Sequence, residues 1–296
     1  GSFVMTEEEI RDFWNTHPCG AGQIGNKIGE DYESFFERYD EFRYMGEKHI
    51  LSCLDQIDFK DKRVLEIGLG LGADSEQIVK RGGIWSGIDL TRESVDRVKT
   101  RLKLRKLPYD KIEVGTVCNL PFETAHFDIV FSHGVLHHVP EIIKAQEEIA
   151  RVLKPDGLLI VMLYAKRSIN YMFSITILRR LGLLILWVLK ARGSGICNQH
   201  LKNVRGMGIL SYLRMSTFIH KNTDGPLNPY SKVYWKKDVI TDFPAFKITK
   251  MHQEFMHAPP LPVRWLPTAV TRILGWALWV NMKKNNFYND RVNRQS

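Results

Sequence analysis

Three glycines at alternate positions, Gly68, Gly70 and Gly72, follow directly on the run from Arg63 to Ile67, which ends in apolar residues. Few folds accept that order. The run suits a buried parallel strand, and the glycines demand a sharp turn free of side chains. Ala73 to Arg81, with Ile78 and Val79 among polar residues, then reads as a helix. A strand, a tight glycine turn and a helix start together make a nucleotide-cofactor site, because backbone approaches a ligand closely only where no Cβ intervenes. Gly87-Ile88-Asp89-Leu90-Thr91 closes a second strand and places an acid to take two ribose hydroxyls.

The pattern continues as an alternation from Lys62 to Leu163. Strands are expected near 63–67, 84–89, 112–116, 127–132 and 158–164, and helices near 73–81, 92–105 and 141–153. Apolar strands separated by helices mean a parallel sheet covered on both faces, and right-handed crossovers restrict it to a doubly wound fold. Ligands in such sheets bind at the carboxyl ends of the strands. Gly68 to Gly72, Asp89, Cys118 to Leu120 and Ser132 to His138 all fall at that edge.

The glycine spacing leaves two cofactors open. Gly68, Gly70 and Ala73 satisfy the dinucleotide pattern G-x-G-x-x-G/A, while Glu66 with the three glycines satisfies E/D-x-G-x-G-x-G. The motifs downstream decide between them: Asn119-Leu120-Pro121-Phe122, then Phe127-Asp128-Ile129-Val130-Phe131-Ser132-His133-Gly134-Val135-Leu136-His137-His138, then Leu153-Lys154-Pro155-Asp156-Gly157. In order and spacing this series resembles the class I S-adenosylmethionine (SAM) dependent methyltransferases, in particular the ubiquinone/menaquinone-methyltransferase-like (type 11) group. The resemblance covers roughly residues 45–165 and, weakly, 236–283. It implies an α/β, Rossmann-like, doubly wound, seven-stranded, mostly parallel sheet with the last strand antiparallel. SAM is the implied cofactor, and a methyltransferase the implied enzyme.

By that resemblance Gly68, Gly70 and Gly72 let the methionine half of SAM pack on backbone. Glu66 orients the turn or reaches the cofactor amine through water, and Asp89, with Leu90 beside it, takes the ribose. Asn119 and Leu120 flank the adenine, and Ser132 stands at the same edge. The family often carries Asp-Ala where this chain has Thr116-Val117, so the adenine amine's acceptor falls to the Thr116 hydroxyl or to Asn119.

Four stretches are expected: an N-terminal helical lid (1–45), the cofactor-binding core (46–165), an inserted helical cap on the substrate side (166–235) and the closing elements of the sheet (236–296). Thr6 and Glu9 stand in capping-box spacing ahead of a helix from Glu7 to about Trp14. Pro18 to Gly22 reads as a loop. Tyr32, Phe35, Phe36, Tyr39, Phe42 and Tyr44 then recur at three- and four-residue steps, which marks an amphipathic helix, either a lid over the cofactor mouth or plain core. Arg43 on that helix suits the SAM carboxylate in charge and shape, or is an exposed arginine with no role. Lys236 to Phe243 reads as a helix, with strands at Phe246 to Gln253 and Trp276 to Lys283.

The cap holds Met172 to Leu189, a strongly apolar helix, then Gly193-Ser194-Gly195 and a second helical stretch near 205–219. Arg179 and Arg180 interrupt the first helix at a cost of about 2.5–3.5 kcal/mol each in a bilayer, and Leu181 to Leu189 is far short of the roughly 20 residues a span requires. It is therefore not read as spanning. Two expectations stand: a buried cap helix whose two arginines snorkel outward, or a helix that lies on a bilayer or lines an apolar pocket, with Trp265, Leu266, Ile273, Leu274 and Trp276 to Val280 as a second apolar patch.

Composition narrows the remaining choices. With 296 residues and 44% hydrophobic content the chain suits one large domain plus an elaboration. Its formal charge of +9 favours anionic partners, but the basic residues are scattered and interleaved with acids. A nucleic-acid partner is therefore not expected. Cys19, Cys53, Cys118 and Cys197 are far apart, which fits free thiols in a reducing cytoplasm and no metal site. Gly1-Ser2 reads as a cloning remnant ahead of a natural start near Met5.

Methyl transfer from a sulfonium is an in-line displacement, so positioning and exclusion of water are the main requirements. If the acceptor is an alcohol, phenol or carbon acid, its proton needs a base. His133 and His137 are the preferred candidates, with Tyr164 and Tyr171 as alternatives; backbone-capping roles for the histidines are equally open. The expected activity is O- or C-methylation of a small lipophilic or aromatic molecule. An NAD-dependent oxidoreductase and a SAM-binding protein with non-methyl chemistry are the rivals.

Overall fold

The computed structural model describes residues 6–17, 31–190 and 195–285. The Pro18–Gly22 loop, Cys19, Met5 and the Gly193-Ser194 pair lie outside them. At its centre is a sheet in the order β3-β2-β1-β4-β5-β8-β7, built from β1 (Arg63–Ile67), β2 (Ile84–Asp89), β3 (Ile112–Val114), β4 (Phe127–His133), β5 (Leu153–Ala165), β7 (Phe246–Glu254) and β8 (Ala277–Lys284). Every pair from β3 to β5 is parallel, and β8 alone runs antiparallel, between β5 and β7. The seven-stranded, doubly wound expectation is met. A two-residue β6 (Val233–Tyr234) adds a short parallel pairing to the end of β5.

Burial explains why these strands read as continuous apolar runs. Leu65, Val130, Leu159 and Val161 face one core cluster, and Val64, Ile129, Phe131 and Ile160 the other, so both faces of the sheet are dry. The helices Ala73–Lys80 (α4), Arg92–Leu104 (α5) and Ile142–Val152 (α6) cover those faces. β5 begins at Leu153, five residues before the expected 158: α6 passes directly into the strand, with a register shift opposite Phe127 and Ile129.

Two N-terminal helices, Glu7–Thr16 (α1) and Tyr32–Gly46 (α2), precede the core, followed by the short α3 (His49–Leu54). The capping box of α1 forms as its sequence predicts, with the Glu9 amide donating to Thr6 Oγ1 at 3.3 Å and the Thr6 amide donating to Glu9 Oε2 at 2.8 Å. In α2 the aromatic stripe divides. Phe35, Phe36 and Tyr39 are buried against Leu71 and Ala73 of the glycine turn, while Tyr32 and Phe42 stay exposed.

After β5 the chain enters the cap. A π-helical stretch, Asn170–Arg179, runs on into α7 (Arg180–Val188), and α8 (Gly195–Met207), α9 (Ile209–Tyr212) and α10 (Met215–Phe218) follow. Gly208, at φ +80°, breaks what the sequence suggested as one helix near 205–219. The expectation of two outward arginines fails for Arg179. Its guanidinium donates to the carbonyls of Asn222 (2.8 Å) and Pro259 (3.0 Å), and burial pulls its pKa down to about 10. The helices Lys236–Asp242 (α11) and Thr268–Leu274 (α12) complete the chain around β7.

Candidate active site

The carboxyl edge of the sheet opens into a cavity of about 990 Å³, at the top of the range of about 300–1,000 Å³ for small-ligand sites. One end of it is the glycine turn. Gly68 (φ +80°) and Gly70 (φ +53°) adopt left-handed backbone that favours glycine. A Cβ on Gly68 would lie 2.2 Å from Val135 Cγ2, so the turn fits beneath the loop after β4 only without a side chain. A Cβ on Gly70 would meet nothing within 4 Å, because its open side belongs to the cavity.

Charged groups surround this turn. Asp89 ends β2 and accepts from the Leu69 amide (2.7 Å) and from the Thr91 amide (2.8 Å) and hydroxyl (2.7 Å), so one carboxylate ties the glycine turn to the start of α5. Burial pushes its pKa up against those bonds. Glu66 accepts from Trp85 Nε1 at 2.8 Å, and burial raises its pKa to about 8. Next to it Asp74 accepts from Arg43 Nη2 (2.8 Å) and from His133 Nδ1 (2.6 Å). Burial works against the Asp74 charge, but Arg43 and His133 outweigh it and hold the carboxyl well below its usual range. Asp74 Oδ1 and Arg43 Nε are both buried without a hydrogen-bond partner among the described residues. An unpartnered carboxylate oxygen and guanidinium nitrogen beside one glycine turn suit the ammonium and carboxylate of an amino acid.

The other end is built differently. Trp14, Phe42, Met162, Phe255 and Trp276, from α1, α2, β5 and the flanks of β7 and β8, give the cavity its large apolar lining residues. Into it project His138, Tyr164 and, from the cap, Asp224. Tyr164 OH donates to Asp224 Oδ1 at 2.7 Å. His138 Nδ1 donates to the Tyr230 carbonyl at 2.7 Å, since a carbonyl can only accept, and this leaves Nε2 facing Asp224 Oδ2 at 3.3 Å. Burial pushes the Asp224 carboxyl up, but attraction to His138 and the Tyr164 bond prevail and hold it at about 2.

Of the residues singled out from sequence, Arg43, Glu66, Gly68, Gly70, Asp89, Leu90, His133 and Tyr164 line the cavity; Gly72, Asn119, Leu120, Ser132, His137 and Tyr171 do not. Each absence has a local cause. Gly72 (φ +77°) caps α4, and a Cβ there would press on Val98 and Arg101 at 3.0–3.1 Å, so this glycine serves helix packing. A turn closed by the Asn119 amide on the Thr116 carbonyl (3.2 Å) leaves Asn119 exposed and sends Leu120 into the core, its place in the cavity being taken by Thr116, Val117 and Cys118. Thr116 Oγ1 donates to Glu7 Oε2 of α1 at 2.7 Å, so the neighbourhood of the expected adenine acceptor includes a carboxylate from the first helix.

Ser132 Oγ donates to the Ile67 carbonyl at 3.1 Å and stitches β4 to β1. His137 lies in a 3₁₀ turn (Leu136–His138) that aims it at the Tyr164 ring, 3.9 Å away between centroids. It is fully buried, neither ring nitrogen has a partner among the described residues, and burial drives its pKa well down. Tyr171 packs in the cap with Lys166 over its ring. His138 was placed at this edge with His133 and His137 but not preferred as the base, and Asp224 was not singled out. The signal for Asp224 was its isolation: it is the first acid after Asp156.

Fold and cavity together define an α/β domain whose glycine turn, at the carboxyl edge of the sheet, suits a nucleoside cofactor with an amino-acid tail. Residues 65–161 match the methyltransferase domain family. That segment is a class I SAM-dependent methyltransferase domain, and the dinucleotide reading of its glycines falls away. The chain is 32% identical over 181 residues to norajmaline N-methyltransferase of Rauvolfia serpentina, covering 55% of this chain and 61% of that protein. It is 28% identical over 120 residues to a ubiquinone biosynthesis O-methyltransferase of Coxiella burnetii, covering 40% and 51%. In both cases the match spans less than two-thirds of the relative's length. The solved structure of the [4+2]-cyclase SpnF shares the fold at a TM-score of 0.55 and 13% identity, over 95% of this chain and 97% of that one.

Proposed function

We propose that this chain methylates a small, lipophilic or aromatic acceptor at oxygen or acidic carbon, with His138 taking the acceptor's proton. The observation that carries this reading is the His138–Asp224–Tyr164 group set in an apolar wall, in the same cavity as the glycine turn. SAM would supply here a sulfonium-activated methyl group, with the neutral thioether S-adenosylhomocysteine as the leaving group. Gly68 and Gly70 would carry it, Asp74 and Arg43 would meet its amino-acid charges, and Asp89 would meet its ribose. The proton that the acceptor releases passes to the edge formed by His138 Nε2 and Asp224 Oδ2, where neither atom has a hydrogen-bond partner among the described residues, and the two groups hold it between them. The Tyr230 carbonyl fixes which nitrogen does this, as second partners of a catalytic histidine generally do. Trp14, Phe42, Phe255 and Trp276 exclude water and recognise an apolar acceptor by area and ring contact.

The test measures calorimetric binding of S-adenosylhomocysteine together with methyl transfer to a panel of small phenols and quinols. His138→Asn and Asp224→Asn are expected to bind the adenosyl ligand as the parent does and to lose about 10²- to 10⁴-fold in turnover. Full turnover in both variants would remove the base from this site, and failure of the parent to bind the adenosyl ligand would remove the activity altogether.

A further inference from the structure

We infer that the outer face of the cap is a docking surface for an anionic lipid bilayer, on which the helix from Asn170 to Val188 lies flat. This helix has a mean hydropathy of 1.6, yet only 17% of its most apolar window is buried, so it is not a core helix. Its inner side is held by Ile175 and Leu183 in the cap core, while Phe173, Ile177, Leu181, Leu184 and Val188 recur along the exposed side at three- and four-residue steps. Nothing among the described residues covers them. Leu189 at 71% exposure, Leu210 at 80% and Trp265 at 77% extend the apolar character to neighbouring segments.

Charge selects the partner. The 67 residues from 157 to 223 contain ten Lys or Arg and no Asp or Glu. Lys190, Lys202, Arg205 and Arg214 are exposed around the apolar helices. A second copy of this chain, docking by a two-fold axis, would set this acid-free surface against itself and add repulsion. An anionic bilayer supplies both the hydrocarbon and the counter-charge. The helix does not span, because Arg179, at its middle, is tied to the backbone of Asn222 in the cap and of Pro259 beyond β7. The inner side of the same helix packs on a cluster that contains Trp276, Tyr164 and Phe255, which also line the cavity. One layer of side chains thus separates the lipid-facing surface from the acceptor's wall.

Sedimentation of the full chain with phosphatidylcholine vesicles, with and without phosphatidylglycerol, at low and high salt, tests this. Binding is expected to be at least about ten-fold tighter to the anionic vesicles, equivalent to the attraction of one or two basic side chains, and to fall with salt. Leu181→Asp with Val188→Asp, and separately Lys190→Glu with Lys202→Glu, are each expected to abolish the preference while leaving the melting temperature and adenosylhomocysteine binding unchanged. The charge reversal keeps the test valid if the first pair fails to fold. Equal recovery with both vesicle types, or a parent dimer that Leu181→Asp converts to monomer in light scattering, would overturn the proposal.

Discussion

Glu66 shows how one buried side chain carries information about both stability and the cofactor. Its ordinary pKa is 4.5, and burial moves it to about 8 in the folded chain. Between those values the folded protein holds a proton that the unfolded chain has released. Stability therefore falls as pH rises from about 4.5 towards about 8. Glu66→Gln is expected to flatten that slope in urea titrations run across this window, and an unchanged slope would place its origin elsewhere. The glycine turn offers a separate test. Gly68→Ala drives a methyl into Val135 and is expected to cost about 1–3 kcal/mol beyond the strain of its positive φ. Gly70→Ala pays only the strain, about 1–2 kcal/mol, but places its methyl in the cavity, so calorimetry should show cofactor binding lost from a chain that still melts cooperatively. The turn these glycines make could be read in advance because glycine identity reports backbone conformation directly. The roles of His137 and Tyr171 could not, because a 3₁₀ turn and a cap helix decide which way each ring points.

At the scale of elements, a buried cation adds to the ties between the second N-terminal helix and the glycine turn. Arg101 of α5 is fully buried; it donates to Asp40 of α2, to Glu76 of α4 at 2.8 Å and to the Leu71 carbonyl at 3.3 Å, with Phe36 against its guanidinium. Arg101→Met would leave Asp40 and Glu76 facing each other without their shared partner. A loss of about 3–5 kcal/mol is expected, read as a lowered urea midpoint, together with weaker adenosylhomocysteine binding because Tyr39, Phe42 and Arg43 line the cavity from this helix. A fall in stability with binding intact would show that α2 holds its place without Arg101. The capping box of α1 and the aromatic stripe of α2 were visible as local patterns. The arginine that joins α2 to α4 and α5 was not, since its partners lie 25 and 61 residues away.

For the whole molecule, the sheet was legible because its strands are apolar on both faces and separated by glycine turns and amphipathic helices. The cap was legible only in outline. Composition left its apolar helix between core and a bilayer surface, and only the three-dimensional arrangement shows one side turned outward. Asp224, which completes the acceptor end, sits in Thr223-Asp224-Gly225-Pro226, a sequence that by itself says only turn.

The short pairing of β6 with the end of β5 bears on how such a chain can change its substrate. Tyr164 and Ala165 pair with Val233 and Tyr234, and the Lys166 amide donates to the Tyr234 carbonyl at 2.9 Å. The polypeptide therefore leaves the sheet and returns to it at one point. Everything between forms a closed excursion, and its length enters the closure entropy only logarithmically. Grafting another excursion between Ala165 and Val233 is expected to retain adenosylhomocysteine binding while lowering methyl transfer to the phenols, because Asp224 leaves with the excursion, as read by the calorimetric and panel assays above. A graft that folds but loses the adenosyl ligand would show that the cap also supports the cofactor. The excursion is thus a separable part, joined to the sheet through a seam two residues wide.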